Sequence, residues 1–81
     1  MDERMTELVA IGASAAVNCH PCVQFHLGEC DRLGVDRDEV WAAIEVGMMV
    51  NRGAAAKTKA HAQSLLGKSE GSDGTGCGCG S

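Results

Sequence analysis

The sequence predicts an all-α fold, a small helical subunit of three to four helices followed by a flexible C-terminal tail. Three observations carry this expectation. Apolar residues recur at three- and four-residue spacing through nearly all of the first 66 positions, alanine is abundant in the same stretch, and the one proline falls where a helix would begin.

The first helix is expected over roughly residues 2 to 17. Met1, Met5, Leu8, Val9, Ile11, Ala15 and Ala16 form its apolar stripe. Asn18 breaks the pattern and reads as the N-cap of the next helix. Pro21 then sits in a first turn, where a missing N–H costs little, and the helix continues through Val23, Phe25, His26, Leu27 and Cys30 to Leu33. Gly34 supplies its C-terminal stop.

A capping-box pattern, Asp36-Arg37-Asp38-Glu39, opens a third helix carrying Val40, Trp41, Ile44, Val46, Met48, Met49 and Val50. Its apolar positions run nearly all round, which predicts burial on more than one side and favours an interface between subunits. Asn51-Arg52-Gly53 interrupts the pattern, and Ala54 to Leu66 resumes it as a weaker fourth segment or as the continuation of one bent helix. Residues 1–66 are thus expected to form one helical domain. Residues 67–81, rich in Gly and Ser and without a large apolar residue, form the tail, which ends in Cys77-Gly78-Cys79.

A domain this short buries only about 60% of its unfolded surface, so a homo-oligomer is expected. A net charge of −4 and an isoelectric point of about 5.1 argue against nucleic acid or an anionic membrane as partner. The charged opening Met1-Asp2-Glu3-Arg4 differs from a signal peptide, and no run approaches the roughly 20 apolar residues of a membrane span. A cytoplasmic location follows. In such a reducing compartment five cysteines point to redox, catalytic or metal chemistry and away from a disulfide framework.

The chemistry concentrates in Cys19-His20-Pro21-Cys22 and His26. Two cysteines three apart at a helix start lie on one face, close enough to form a small disulfide ring, and the positive helix end favours the thiolate. His26 falls four residues after Cys22, where an imidazole can take a thiol's proton or pair with the thiolate. Cys30 lies one further turn along, so Cys22, His26 and Cys30 make a column that could hold zinc, although a free buried cysteine serving as a small hydrophobe is the plainer reading. Cys77 and Cys79 have the chemistry to exchange with the main dithiol or to bind a thiophilic ion. Alone, Glu7 is a solvated helix residue and His61 a surface one. Trp41, Met48 and Met49 read as core or interface, and Arg52, Lys57 and Lys59 as a solvated basic face able to steer an acidic partner.

Glu7, Cys19 twelve residues on, Cys22 after two more and His26 after another three together resemble the signature of the alkylhydroperoxidase D-like branch of the carboxymuconolactone decarboxylase superfamily. The surroundings are similar too: an Ala-rich helix before the motif, a helix from it to Leu33-Gly34-Val35, then Glu39-Val40 in the next. The resemblance covers about residues 3 to 66. It implies an all-helical subunit assembling into dimers, trimers or hexamers, with a dithiol that reduces peroxides or disulfides. It further implies that Glu7 and His26 form a proton relay, that Cys19 and Cys22 are the redox pair, and that an external dithiol, a lipoyl domain or thioredoxin-like protein, recycles it. No cofactor and no resident metal are implied.

In one place the chain departs from that signature. Peroxidase members carry a second histidine directly before the second cysteine, whereas here Pro21 takes that place and the histidine is His20. The ring is displaced by about 100° around the helix, which turns His20 toward solvent. Dithiol–disulfide exchange, which needs less proton handling, tolerates the change best. Other readings are a zinc- or arsenite-binding protein using Cys19, Cys22, His26 and the tail thiols, and a helical assembly module with an idle site. Decarboxylation is the weakest, because members resembling that enzyme do not rely on a CxxC pair.

Overall fold

A computed structural model describes residues 1–68; Cys77 and Cys79 lie outside the described residues. Three helices follow one another, α1 (Glu3–Ala16), α2 (His20–Arg32) and α3 (Arg37–Leu66), and among the described residues there is no strand. None of the helices is long and apolar enough to cross a membrane. The chain divides into two compact units, Met1–Asn51 and the segment from Arg52 onward.

In the first unit each helix is bounded by recognisable chemistry. Asp2 caps α1, its Oδ1 accepting from the Met5 N–H at 2.8 Å. The exit of α1 is a Schellman turn: Asn18 takes a left-handed φ of 58°, its N–H bonds the Ala15 carbonyl, and the Cys19 N–H bonds the Ser14 carbonyl at 2.9 Å. Asn18 therefore ends α1 and does not cap α2, whose N-cap is Cys19. Asparagine fits the place because its short polar side chain tolerates the left-handed region better than most.

Gly34 closes α2 in the same way, with φ 73° and the Val35 N–H on the Cys30 carbonyl at 2.9 Å. Asp36 then caps α3, accepting from the Asp38 N–H at 2.9 Å. Arg37 makes a two-point pair with Asp31 at 3.0 and 2.7 Å beside that corner. An exposed pair of this kind contributes little to stability, because water and salt screen it.

The core is small: Ile11, Cys30, Val35 and Val40 are buried, with Leu8, Val23, Leu27, Leu33, Ala43 and Ile44 packed against them. Full burial of Ile11 contributes about 1.5–3 kcal/mol. The helices α1 and α3 meet backbone to backbone at two glycines. A Cβ on Gly47 would fall on the carbonyl oxygen of Gly12, and one on Gly12 would lie 2.9 Å from the Ala43 carbonyl oxygen. A turn further on, Asn51 donates from Nδ2 to the Ala16 carbonyl at 2.9 Å.

Several apolar residues read as core or interface, or as part of an apolar stripe, are on the surface of this single chain. Trp41, Met48 and Met49 are exposed, as are Met5 and Val9 of the α1 stripe. Buried on α1 in addition to Ile11 is Ser14, whose hydroxyl donates to the Ala10 carbonyl at 2.7 Å and so enters the interior without an unsatisfied donor.

The described part of the second unit is the C-terminal half of α3. The helix runs without interruption through Asn51, Arg52 and Gly53, so the fourth segment is part of α3. One glycine and one asparagine cost a helix only about 1 kcal/mol or less each, and the Asn51 side chain bonds another helix instead of its own backbone. Gly67, with φ 72°, ends it in a third Schellman turn.

Candidate functional site

The end of α1 and the start of α2 build the site. All four terminal carbonyls of α1 find donors: Ala13 from the Val17 N–H, Ser14 from Cys19, Ala15 from Asn18 and Ala16 from the Asn51 side chain. Cys19 is thus fixed as the residue where one helix has ended and the next begins. Its own carbonyl accepts from the Val23 N–H at 3.0 Å.

Pro21 stands in the first turn of α2, where no N–H is missed. Cys22 follows in that turn, and its sulfur is bonded to that of Cys19, with the two Cα atoms 5.2 Å apart. This is the ring that the CxxC spacing predicts. Both cysteines are half-buried, so the disulfide is neither sealed in the core nor fully in solvent. His20, between them, is exposed, as its shifted position predicts.

His26 lies one turn after Cys22 on the same helix, and across from it stands Glu7 of α1. The two side chains meet at 2.6 Å, His26 Nδ1 to Glu7 Oε1. With the carboxylate as acceptor, Nδ1 carries the hydrogen, which leaves Nε2 as the ring's acceptor. The side chains are 25% and 19% exposed. That much burial shields the pair from competing water yet leaves the imidazole reachable.

Phe25 completes the surroundings. Its ring lies edge-on to the His26 ring, centroids 5.0 Å apart and planes at 82°, while the phenyl itself is 62% exposed. Sequence reasoning placed Phe25 in the helix but assigned it no part in the site. Nor did it assign one to Asn51. Neighbouring positions on a helix ordinarily diverge, so periodicity carried no signal for the Phe25–His26 contact.

Cys30, next along the column, is a free thiol with no exposed surface. Burial, and after it the negative charge of Glu7, raise its pKa. It packs with Val35 and Val40 as a small apolar residue. Among the described residues no three His, Cys, Asp or Glu side chains converge as a metal's ligands would. The arrangement offers a half-exposed disulfide, an imidazole one turn away and a carboxylate that fixes that imidazole's tautomer.

No curated protein and no solved structure matches the chain. The family model described as carboxymuconolactone decarboxylase matches residues 1–65, the whole of the first unit and nearly all of α3. With three helices and the Glu7, Cys19, Cys22 and His26 constellation in place, the chain belongs to the carboxymuconolactone decarboxylase family.

Proposed function

We propose that this chain is a dithiol oxidoreductase of the alkylhydroperoxidase D-like kind, reducing peroxides or disulfides. The observation that supports it is the Cys19–Cys22 disulfide at the head of the helix whose next turn carries His26, held at 2.6 Å by Glu7.

In the reduced state Nε2 of His26 accepts the proton of the Cys22 thiol. The Cys22 thiolate attacks the outer oxygen of a peroxide, the O–O bond breaks, and the leaving alkoxide takes a proton from the imidazolium to depart as an alcohol. Cys22 is then a sulfenic acid. The Cys19 thiol attacks that sulfur, water leaves, and the disulfide forms. One peroxide and two thiols thus become one alcohol, one water and one disulfide. An external dithiol, on a lipoyl domain or a thioredoxin-like protein, returns the pair to thiols through a mixed disulfide. The cytoplasm, where thiols are kept reduced, suits this cycle.

The test is to mix the reduced protein with hydrogen peroxide, with an alkyl hydroperoxide and with oxidised lipoamide, and to follow disulfide formation by mass spectrometry. Cys22→Ser should abolish turnover, and Cys19→Ser should leave a sulfenic acid on Cys22 that a dimedone probe captures. A reduced protein that none of the three oxidants converts to the Cys19–Cys22 disulfide faster than they oxidise free glutathione would refute the proposal.

A further inference from the structure

Glu7 alone does not account for how the His26 ring is held. A glutamate side chain turns about several single bonds, and this one reaches across from α1 with 19% of its surface exposed. Its carboxylate can therefore follow the imidazole through an arc without losing the bond at 2.6 Å. That bond sets a partner and a distance. It leaves the ring free to swing, and a swing carries Nε2 toward or away from the turn that holds Cys22.

Phe25 supplies the second hold. Val23 and Leu27, two places to either side of it on α2, pack against the core. Phe25 instead keeps 62% of its surface exposed and sets its ring edge-on to the imidazole, centroids 5.0 Å apart and planes at 82°. Consecutive helix positions point about 100° apart, so the helix by itself separates these two side chains. They meet because each leans toward the other. A near-perpendicular pair sets the positive edge of one ring against the negative face of the other, a contact that favours particular angles as an aliphatic contact does not. Cys22 lies three residues before Phe25 and four before His26, so both rings neighbour the position that carries its sulfur. With a carboxylate on one ring nitrogen and a phenyl at right angles to the ring plane, the imidazole is held in two directions.

We infer that Phe25 is a positioning residue: its ring holds the imidazole of His26 in the orientation from which Nε2 serves the Cys22 thiol. The inference rests on the proposed role of His26 as the base. Phe25 takes no part in the bond changes. Without its ring the base is still present but less often in place.

The test follows oxidation of the reduced full chain by hydrogen peroxide, which has no organic group to rest on a phenyl, and beside it by cumene hydroperoxide, which has one. Phe25→Leu keeps apolar bulk and loses the ring. It should slow both oxidations alike, by up to about 10²-fold, the scale on which a small misplacement of a reacting group tells. Phe25→Tyr, which keeps the ring and directs its hydroxyl to water, should restore most of the rate. In a His26→Ala background Phe25→Leu should cost nothing further, because the residue acts through the imidazole. Helical circular dichroism should be unchanged throughout. A normal loss in His26→Ala with none in Phe25→Leu overturns the inference alone, as does a further loss from Phe25→Leu where His26 is already absent. A loss confined to cumene hydroperoxide also overturns it and makes the phenyl a substrate contact. A His26→Ala rate equal to the parent's removes the base itself, and the inference with it.

Discussion

The carboxylate of Glu7 and the imidazole of His26, 19 residues apart in sequence, stand 2.6 Å apart in the fold. In the proposed cycle this bond leaves the other ring nitrogen, Nε2, to work on the cysteines. His26→Ala removes that nitrogen and should slow oxidation of the reduced pair by about 10²–10⁴-fold, the usual worth of a positioned base. Glu7→Gln keeps the imidazole but replaces its fixed acceptor, so the loss should be smaller, at or below about 10²-fold. Stopped-flow oxidation of both variants decides this, and an unchanged rate in Glu7→Gln would remove Glu7 from the relay.

Two glycines of α3 should respond oppositely to the same substitution. At Gly47 an added methyl meets the Gly12 carbonyl oxygen and the Ala15 side chain, and backbone cannot yield as a flexible side chain does. Gly47→Ala should therefore destabilise by about 1–3 kcal/mol despite alanine's better helix propensity. At Gly53 nothing lies within 4 Å of the new atom. Gly53→Ala should raise stability by about 0.5–1 kcal/mol. Thermal denaturation of the two variants beside the parent gives the signs directly.

Asn51→Ala strips the last carbonyl of α1 of its donor. A half-buried acceptor left without a partner costs about 1–3 kcal/mol. Because that carbonyl adjoins the turn into Cys19, hydrogen exchange should quicken at Asn18 and Cys19 before it does in α2.

Cys30 sets an alkaline limit. Its pKa in the fold is raised from the ordinary thiol value of 9.0, first by burial and then by Glu7, so above that value the unfolded chain releases a proton that the folded chain keeps. Stability therefore falls as pH rises past about 9, the sign expected when the native state binds the more protons. In Cys30→Ala the decline should flatten, at the expense of lower stability at neutral pH from the cavity. Denaturation midpoints across the alkaline range would show an unflattened curve if Cys30 were not responsible.

Much of this was legible in the sequence because it is local. The all-helical fold, the Gly34 stop, the Asp36 cap and the ring between Cys19 and Cys22 each rest on residues within a turn or two of one another. Asn18 was misplaced because asparagine serves equally at an N-cap and at a left-handed exit, and only the backbone distinguishes them. Ser14 and Asn51 were passed over because a polar side chain reveals its partner only when another helix is in place. The Glu7–His26 bond was legible through resemblance to a known signature, not through spacing, since periodicity says nothing of which helices face each other. Trp41 and Met48 were read as core or interface by their apolar character, and that character alone does not choose between the two.

The main chain at Cys19 is committed twice over, its N–H to Ser14 and its C=O to Val23. Breaking the bond between the sulfurs releases two side chains and no backbone. Interconversion of the oxidised and reduced forms then needs only rotations about side-chain bonds, movements of picoseconds to nanoseconds at accessible positions. In the proposed cycle, therefore, passage between the two forms asks nothing of the backbone hydrogen bonds that end α1 and begin α2.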